Sequence, residues 1–95
     1  MTLDRLVLAE ICARNDIVRL RVFGSFARGD ETEGSDLDLL ADFAARKTLL
    51  DLVRIEREFS ERLGVRVDLL TERSLHPKLR DRILGDARVV YERAA

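Results

Sequence analysis

The spacing of apolar side chains changes character several times along the chain, and each change predicts an element. From Leu3 to Arg14 the apolar positions Leu3, Leu6, Val7 and Ile11 recur at helical spacing, so a first amphipathic helix is expected over 3–14. Asn15 and Asp16 suit a turn. Over 17–23 the period drops to two: Val18, Leu20 and Val22 alternate with Arg19 and Arg21, which predicts a strand with one buried face. Gly24-Ser25 closes that strand, and 25–29 predicts a single helical turn with its free N–H groups at the Ser25 end. The polar run 30–35 reads as a turn. A second strand follows over 36–43, with Leu37 and Leu39 on one face and Asp36, Asp38 and Leu40 on the other. The longest helical pattern runs from Thr48 to Leu63, where Leu49, Leu52, Val53, Ile55, Phe59 and Leu63 form a broad apolar stripe and Gly64 marks the stop. In 65–70 a third strand places Val65, Val67 and Leu69 on one face and Asp68 opposite. Pro77 interrupts a loop, Leu79–Leu84 predicts a last helical segment ended by Gly85, and Val89, Val90 and Tyr91 seed a final short strand.

The order helix, strand, strand, helix, strand, helix, strand predicts an α/β chain of the α+β type: a small mixed β-sheet with helices packed mainly on one face. At 95 residues, one domain spanning 1–95 is expected. Hydrophobic residues at 46% and charged residues at 37% describe a globular, charge-rich chain rather than a disordered one. Seventeen basic against eighteen acidic side chains leave a net charge of −1, which gives no electrostatic footprint for direct nucleic-acid binding. Nearly all the basic side chains are arginine, with lysine only at Lys47 and Lys78. Cys12 is the sole cysteine, which excludes an intrachain disulfide and a zinc cluster. Asp4, Arg5 and Glu10 break any signal-peptide apolar region, and no run approaches the roughly 18 apolar residues of a membrane span. A cytoplasmic protein without membrane association is expected.

Chemistry concentrates in two segments, Gly24-Ser25-Phe26-Ala27-Arg28-Gly29 and Ser35-Asp36-Leu37-Asp38-Leu39-Leu40. Asp36 and Asp38, at i and i+2 of a strand, share a face at roughly 6.5 Å along the backbone. Two such carboxylates can converge on a hard divalent cation, and magnesium completes its oxygen shell with water and phosphate. Asp68 is the best third carboxylate: a core strand position is a costly place for an acid unless something compensates it, and a strand lying beside the second would bring it to Asp36 and Asp38. Gly24 permits close approach of backbone to a ligand, Ser25 adds a hydroxyl donor, and Arg28 is either a bidentate phosphate clamp or a surface arginine. No P-loop pattern is present. The chemistry that unites these groups is nucleotidyl transfer: a triphosphate on Gly24, Ser25 and metal, with Asp68 positioning or deprotonating an incoming hydroxyl.

Gly24-Ser25, a ten-residue gap, Asp36-Leu37-Asp38 and a later strand acid, Asp68, resemble the nucleotidyltransferase superfamily of the DNA polymerase beta type. The string GSFARGDETEGSDLDLL resembles the minimal nucleotidyltransferases, the MNT or MntA-like antitoxins. The resemblance implies a small mixed sheet backed by helices, with Gly24 and Ser25 binding the triphosphate and Asp36, Asp38 and Asp68 as catalytic, metal-binding triad. It further implies Mg2+ as cofactor, ATP as co-substrate, and a HEPN-domain RNase toxin from an adjacent gene as partner in a hetero-oligomer. AMP would pass from ATP to a tyrosine of that toxin, with release of pyrophosphate. Larger relatives carry additional acceptor-holding domains; a chain with the core alone favours an acceptor that brings its own surface.

Two other readings stay open. One is a non-catalytic antitoxin that neutralises its partner by contact; the other is nucleotidyl transfer to a small molecule or nucleic acid. Among the remaining residues, Asp42 and Asp51 read as surface or helix-start charges, His76 as a loop histidine and Cys12 as a small core residue. Phe23 and Phe26 are expected to pack around the Gly24-Ser25 turn, Tyr91 to cover a sheet edge or join an interface, and Arg80 and Arg82 to lie on a solvated helix face.

Overall fold

Polar side chains that replace missing backbone partners set where the helices begin. The computed structural model describes residues 3–94; residues 1–2 and 95 of the expected domain lie outside the described residues. Helix α1 spans Arg5–Arg14, and the Asp4 carboxylate accepts the N–H groups of Leu6 and Val7 at 3.0 and 3.2 Å. This cap starts the helix two residues later than expected from Leu3. Packing against the sheet and α3 puts the buried side on Leu8, Ile11 and Cys12 and leaves Leu6 exposed, contrary to the predicted stripe. Helix α3, Leu49–Leu63, opens with a reciprocal box in which Thr48 and Asp51 each accept the other's backbone N–H, and closes on Gly64 at φ 72°. Ile55 and Phe59 are its fully buried residues; Leu49 and Val53, expected in the stripe, are exposed.

Four strands form one mixed sheet: β1 (Ile17–Phe23), β2 (Leu37–Phe43), β3 (Val67–Leu70) and β4 (Arg88–Glu92), in the order β3-β2-β1-β4. β1 pairs antiparallel with β2 and β4, and β2 pairs parallel with β3. The β2–β3 connection runs through α3, as a parallel pair requires. β1 is not the simple alternation expected. Its register against β2 shifts between Ile17 and Arg19, so Ile17 is fully buried and Val18 is not. A bulge inserts one residue and reverses the facing of everything before it.

The main core lies between α1, α3 and one sheet face, built from Leu20 and Val22 of β1, Leu37 and Leu39 of β2, and Val67 and Leu69 of β3. The opposite face carries a smaller cluster of Phe23, Leu40 and Leu75, packed by Leu70, Ile83 and Leu84. A 3₁₀ turn, Glu72–Ser74, and helix α4, Pro77–Asp86, supply that cover. Pro77 opens α4 rather than interrupting a loop, since its missing N–H is not needed at the first helical position. His76 Nδ1 accepts the Lys78 N–H at 3.1 Å, so this histidine caps a helix. Gly85, expected to end the segment, lies inside it. Among the described residues no helix is long and apolar enough to cross a membrane.

Candidate active site

β1 ends at Phe23, and the chain turns at Gly24 with φ 72° into the four-residue helix α2, Ser25–Arg28. Gly24 precedes the helix, Gly29 ends it in the left-handed conformation, and Gly24 C=O accepts the Arg28 N–H at 3.1 Å. The expected helical turn after the Gly-Ser pair is therefore present. Phe23 is paired with Asp38 across β1–β2, which sets the turn directly beside that aspartate. A Cβ added to Gly24 would stand 2.4 Å from Asp38 Oδ2. The glycine is thus required twice, by its backbone angle and by the carboxylate filling the space a side chain would take.

Asp38 and Asp68 are direct partners in the parallel register of β2 and β3, on the face opposite the main core. The adjacency expected of the third acid is met. Its expected burial is not: β3 is an edge strand and Asp68 is exposed, so no desolvation cost attaches to it. Asp38 and Asp36 are the half-buried members. Burial, then the charges of Asp68 and Asp36 and a hydrogen bond shared with Asp68, push the Asp38 carboxyl up to about 6, while the Arg28 guanidinium pulls the other way. Asp36 lies one residue before β2 rather than within it, and its Oδ1 is 3.7 Å from the Arg66 guanidinium. The three acids are grouped but not closed around one point. Among the described residues no three or more His, Cys, Asp or Glu side chains form a ready-made metal cage. Their chemistry nonetheless fits magnesium: hard oxygen donors from one end of a sheet face, with mutual repulsion that a bound cation relieves.

Arg28 faces Asp30 at 3.3 Å and Asp86 at 3.9 Å. Together with Phe23 and Gly24 it lines a recess of about 200 Å³, closed on the α4 side by Leu79, Arg82, Ile83 and Asp86. That space holds part of a nucleotide, not the whole. Phe23 packs beneath this recess in the smaller cluster, and Phe26 packs against the main core, as expected of residues around the turn. Asp86 is a site residue the pattern did not suggest, because Gly85 read as the end of its helix. Asp42 belongs to a neighbouring network rather than lying free on the surface. It meets Arg19 at 2.7 Å and Arg21 at 3.5 Å, Arg21 meets Glu72 at 2.7 Å, and Arg80 meets Glu72 at 3.2 Å. Cys12 is fully buried, and burial pushes its thiol up to about 12, so it is a core side chain without nucleophilic character.

Residues 5–90 match the family model of the nucleotidyltransferase domain. A Methanocaldococcus jannaschii chain assigned by name as a protein adenylyltransferase is 48% identical over 77 residues, covering 81% of this chain and 83% of its own length. Protein adenylyltransferase MntA of Thermococcus cleftensis is 37% identical over 82 residues, covering 86% of this chain and 81% of its own. A chain in the solved complex of a tri-AMPylated Shewanella oneidensis HEPN toxin with an MNT antitoxin superposes with a TM-score of 0.71, over 93% of this chain and 69% of that one. Its 16% identity makes that likeness one of fold.

Proposed function

This chain belongs to the nucleotidyltransferase domain family, and from that premise we propose that it transfers AMP from ATP to a tyrosine of a partner HEPN-type RNase toxin, acting as its antitoxin. The observation that carries the reading is the pairing of Asp38 with Asp68, hard against a glycine turn whose Cβ space the Asp38 carboxylate occupies. The protein adenylyltransferase names of the two sequence relatives support AMP as the group transferred and a protein as the acceptor.

Gly24 and Ser25 hold the triphosphate, the glycine by letting phosphate approach the backbone and the serine through its hydroxyl. Arg28 offers a guanidinium to a phosphate from the wall of the recess. Asp36, Asp38 and Asp68 would hold magnesium, which when bound neutralises phosphate charge and stabilises the attacking and leaving oxygens. The acceptor's phenolic oxygen bonds to the α-phosphorus while the bond from that phosphorus to the α–β bridging oxygen breaks. The phenolic proton passes to an Asp68 carboxylate oxygen, and the departing electron pair leaves with pyrophosphate. Asp68 suits the acceptor side because it is exposed on the edge strand, whereas Asp38 is tucked against the Gly24 turn.

The test combines the chain, labelled ATP, magnesium and the HEPN-domain chain encoded by the adjacent gene. Label is expected on a tyrosine of the partner. Asp38→Asn, Asp68→Asn and Gly24→Ala should each lower transfer by about 100-fold or more. Unlabelled partner, or full transfer by Asp38→Asn, would sink the proposal. Full toxin neutralisation by an Asp36→Ala/Asp38→Ala variant would instead favour antitoxin action by contact.

A further inference from the structure

We propose that the N-terminal half of α3, with the groove beside it, is a docking face for an acidic amphipathic helix of the protein acceptor; this rests on the reading that the acceptor is a protein. Leu49, Leu50 and Val53 occupy i, i+1 and i+4 on α3 and are 77%, 81% and 53% exposed. Single exposed leucines are ordinary, but three on one helical face form a patch that a chain of this size has reason to cover. The patch adjoins two neighbouring shallow recesses of about 180 and 200 Å³, both lined by Leu52 and Thr71. One is bordered by Leu69 and Leu70, the other by Phe43. A partner helix presenting apolar side chains at i, i+3 or i+4, and i+7 fits such a groove.

Charge selects the occupant. The carboxylates near the patch are already engaged: Asp51 accepts the Thr48 N–H at 2.9 Å and faces Arg54 at 3.6 Å, Glu56 accepts the Leu69 N–H at 2.8 Å, and Glu72 meets Arg21 and Arg80. Arg46 and Arg73, which border the groove and are exposed, make no ion pair among the described residues. The rim therefore presents two uncompensated guanidinium groups, which suit carboxylates flanking an apolar stripe. A second copy of this chain is the poorer occupant. A two-fold interface places a patch against itself, so the positive rim would meet a positive rim.

The Phe43 end of the groove lies at a useful distance from the chemistry, whereas the Leu69 and Leu70 end adjoins Asp68 in β3. Asp38 and Asp68 stand near the starts of β2 and β3, whereas Phe43 and Leu70 end those strands. Phe43 lies five positions along β2 from Asp38, roughly 16 Å at the strand rise. A helix docked there leaves the carboxylates open, so that another part of the same partner can reach them.

Two variants test the face. Leu50→Glu alters a side chain that contributes nothing to the core, and Arg46→Glu/Arg73→Glu reverses the rim. Binding of the adjacent-gene HEPN-domain chain is measured by calorimetry, alongside ATP affinity in its absence and KM and kcat for transfer. Both variants should bind the partner about tenfold or more weakly, with unchanged ATP affinity, a raised KM for partner and a preserved kcat. Partner binding as tight as wild type in both variants overturns the docking face and leaves the transfer reading standing. A wild-type dimer in sedimentation that Leu50→Glu dissolves overturns it too, by giving the face to a second copy. Wild-type chain that binds the partner at this face without labelling it upholds the face and overturns the transfer reading.

Discussion

Gly24 and Asp38 lie against each other in the proposed site, and the state of Asp38 has a consequence for stability. Its carboxyl is raised from the ordinary 3.8 to about 6, first by burial and then by its acidic neighbours. Between about pH 4 and pH 6 the folded chain therefore holds a proton that the unfolded chain has lost, so this group makes stability fall as pH rises through that window. Above the window the folded state carries the full cost of an ionised, crowded carboxylate; below it Asp38 is protonated in both states and contributes nothing. Asp38→Asn removes the ionisation while keeping the shape. In chelator-treated protein, the variant should melt above wild type at about pH 7.5, and the two melting curves should converge near pH 4. Equal melting differences at both values would show that neither burial nor the neighbouring acids raise the Asp38 carboxyl in the folded chain. The same residue shows what was legible at this scale. Paired aspartates and a Gly-Ser turn stand out in the string of residues, and a period of two puts Asp38 on the face opposite Leu37 and Leu39, although Asp36 falls one residue before the strand. That Asp38 is half buried while Asp68 is open does not follow from that period, because it depends on which strand forms the edge.

Among the elements, β3 is the one most in need of support, being four residues long and at an edge of the sheet. An edge strand leaves alternate N–H groups without a neighbouring strand. Helix α3 fills that gap: Ser60 Oγ accepts the Val67 N–H at 3.1 Å and Glu56 Oε2 accepts the Leu69 N–H at 2.8 Å. Ser60 and Glu56 are one turn apart on the helix, so a single face tethers the amides on both sides of Asp68. Glu56→Ala should destabilise the chain by about 1 kcal/mol or somewhat more, since it leaves a part-buried donor without its acceptor, whereas Glu56→Gln keeps an acceptor oxygen and should cost less. Urea denaturation measures the cost, and hydrogen exchange at the Leu69 amide should speed up in the alanine variant above all. Unchanged exchange there would mean that the tether does not hold the strand. Neither contact could be read beforehand, because polar residues on a helix are expected to face water and nothing local says that they meet a strand edge. The β1 bulge was hidden for a similar reason: it is visible only against the register of β2. Strand and helix identities were legible wherever period and caps agreed, as from Thr48 to Gly64. They slipped where one residue carries two meanings, as Pro77 does in starting a helix and Gly85 in lying within one.

The whole molecule is unevenly held, and the uneven part is where the proposed site lies. The main core joins α1 and α3 to the sheet through side chains such as Leu8, Ile55 and Phe59, all without exposed surface. The opposite face depends on Phe23, Leu40 and Leu75, and α4 contributes no fully buried residue to it. Loss of apolar contact on that side should therefore loosen α4 before it unfolds the chain. Leu75→Ala is the change to make, because Leu75 is 7% exposed and sits between the 3₁₀ turn and α4. Truncating a buried leucine costs about 2 kcal/mol or more, against a total stability of about 5–15 kcal/mol for a natural domain. Hydrogen exchange should rise through residues 77–86 far more than in α1 or α3. ATP affinity should fall with it, since Leu79 and Ile83 close the recess that Arg28 shares. Uniform acceleration across all helices would mean instead that the two clusters unfold as one unit, and that the site-bearing face has no stability of its own to lose.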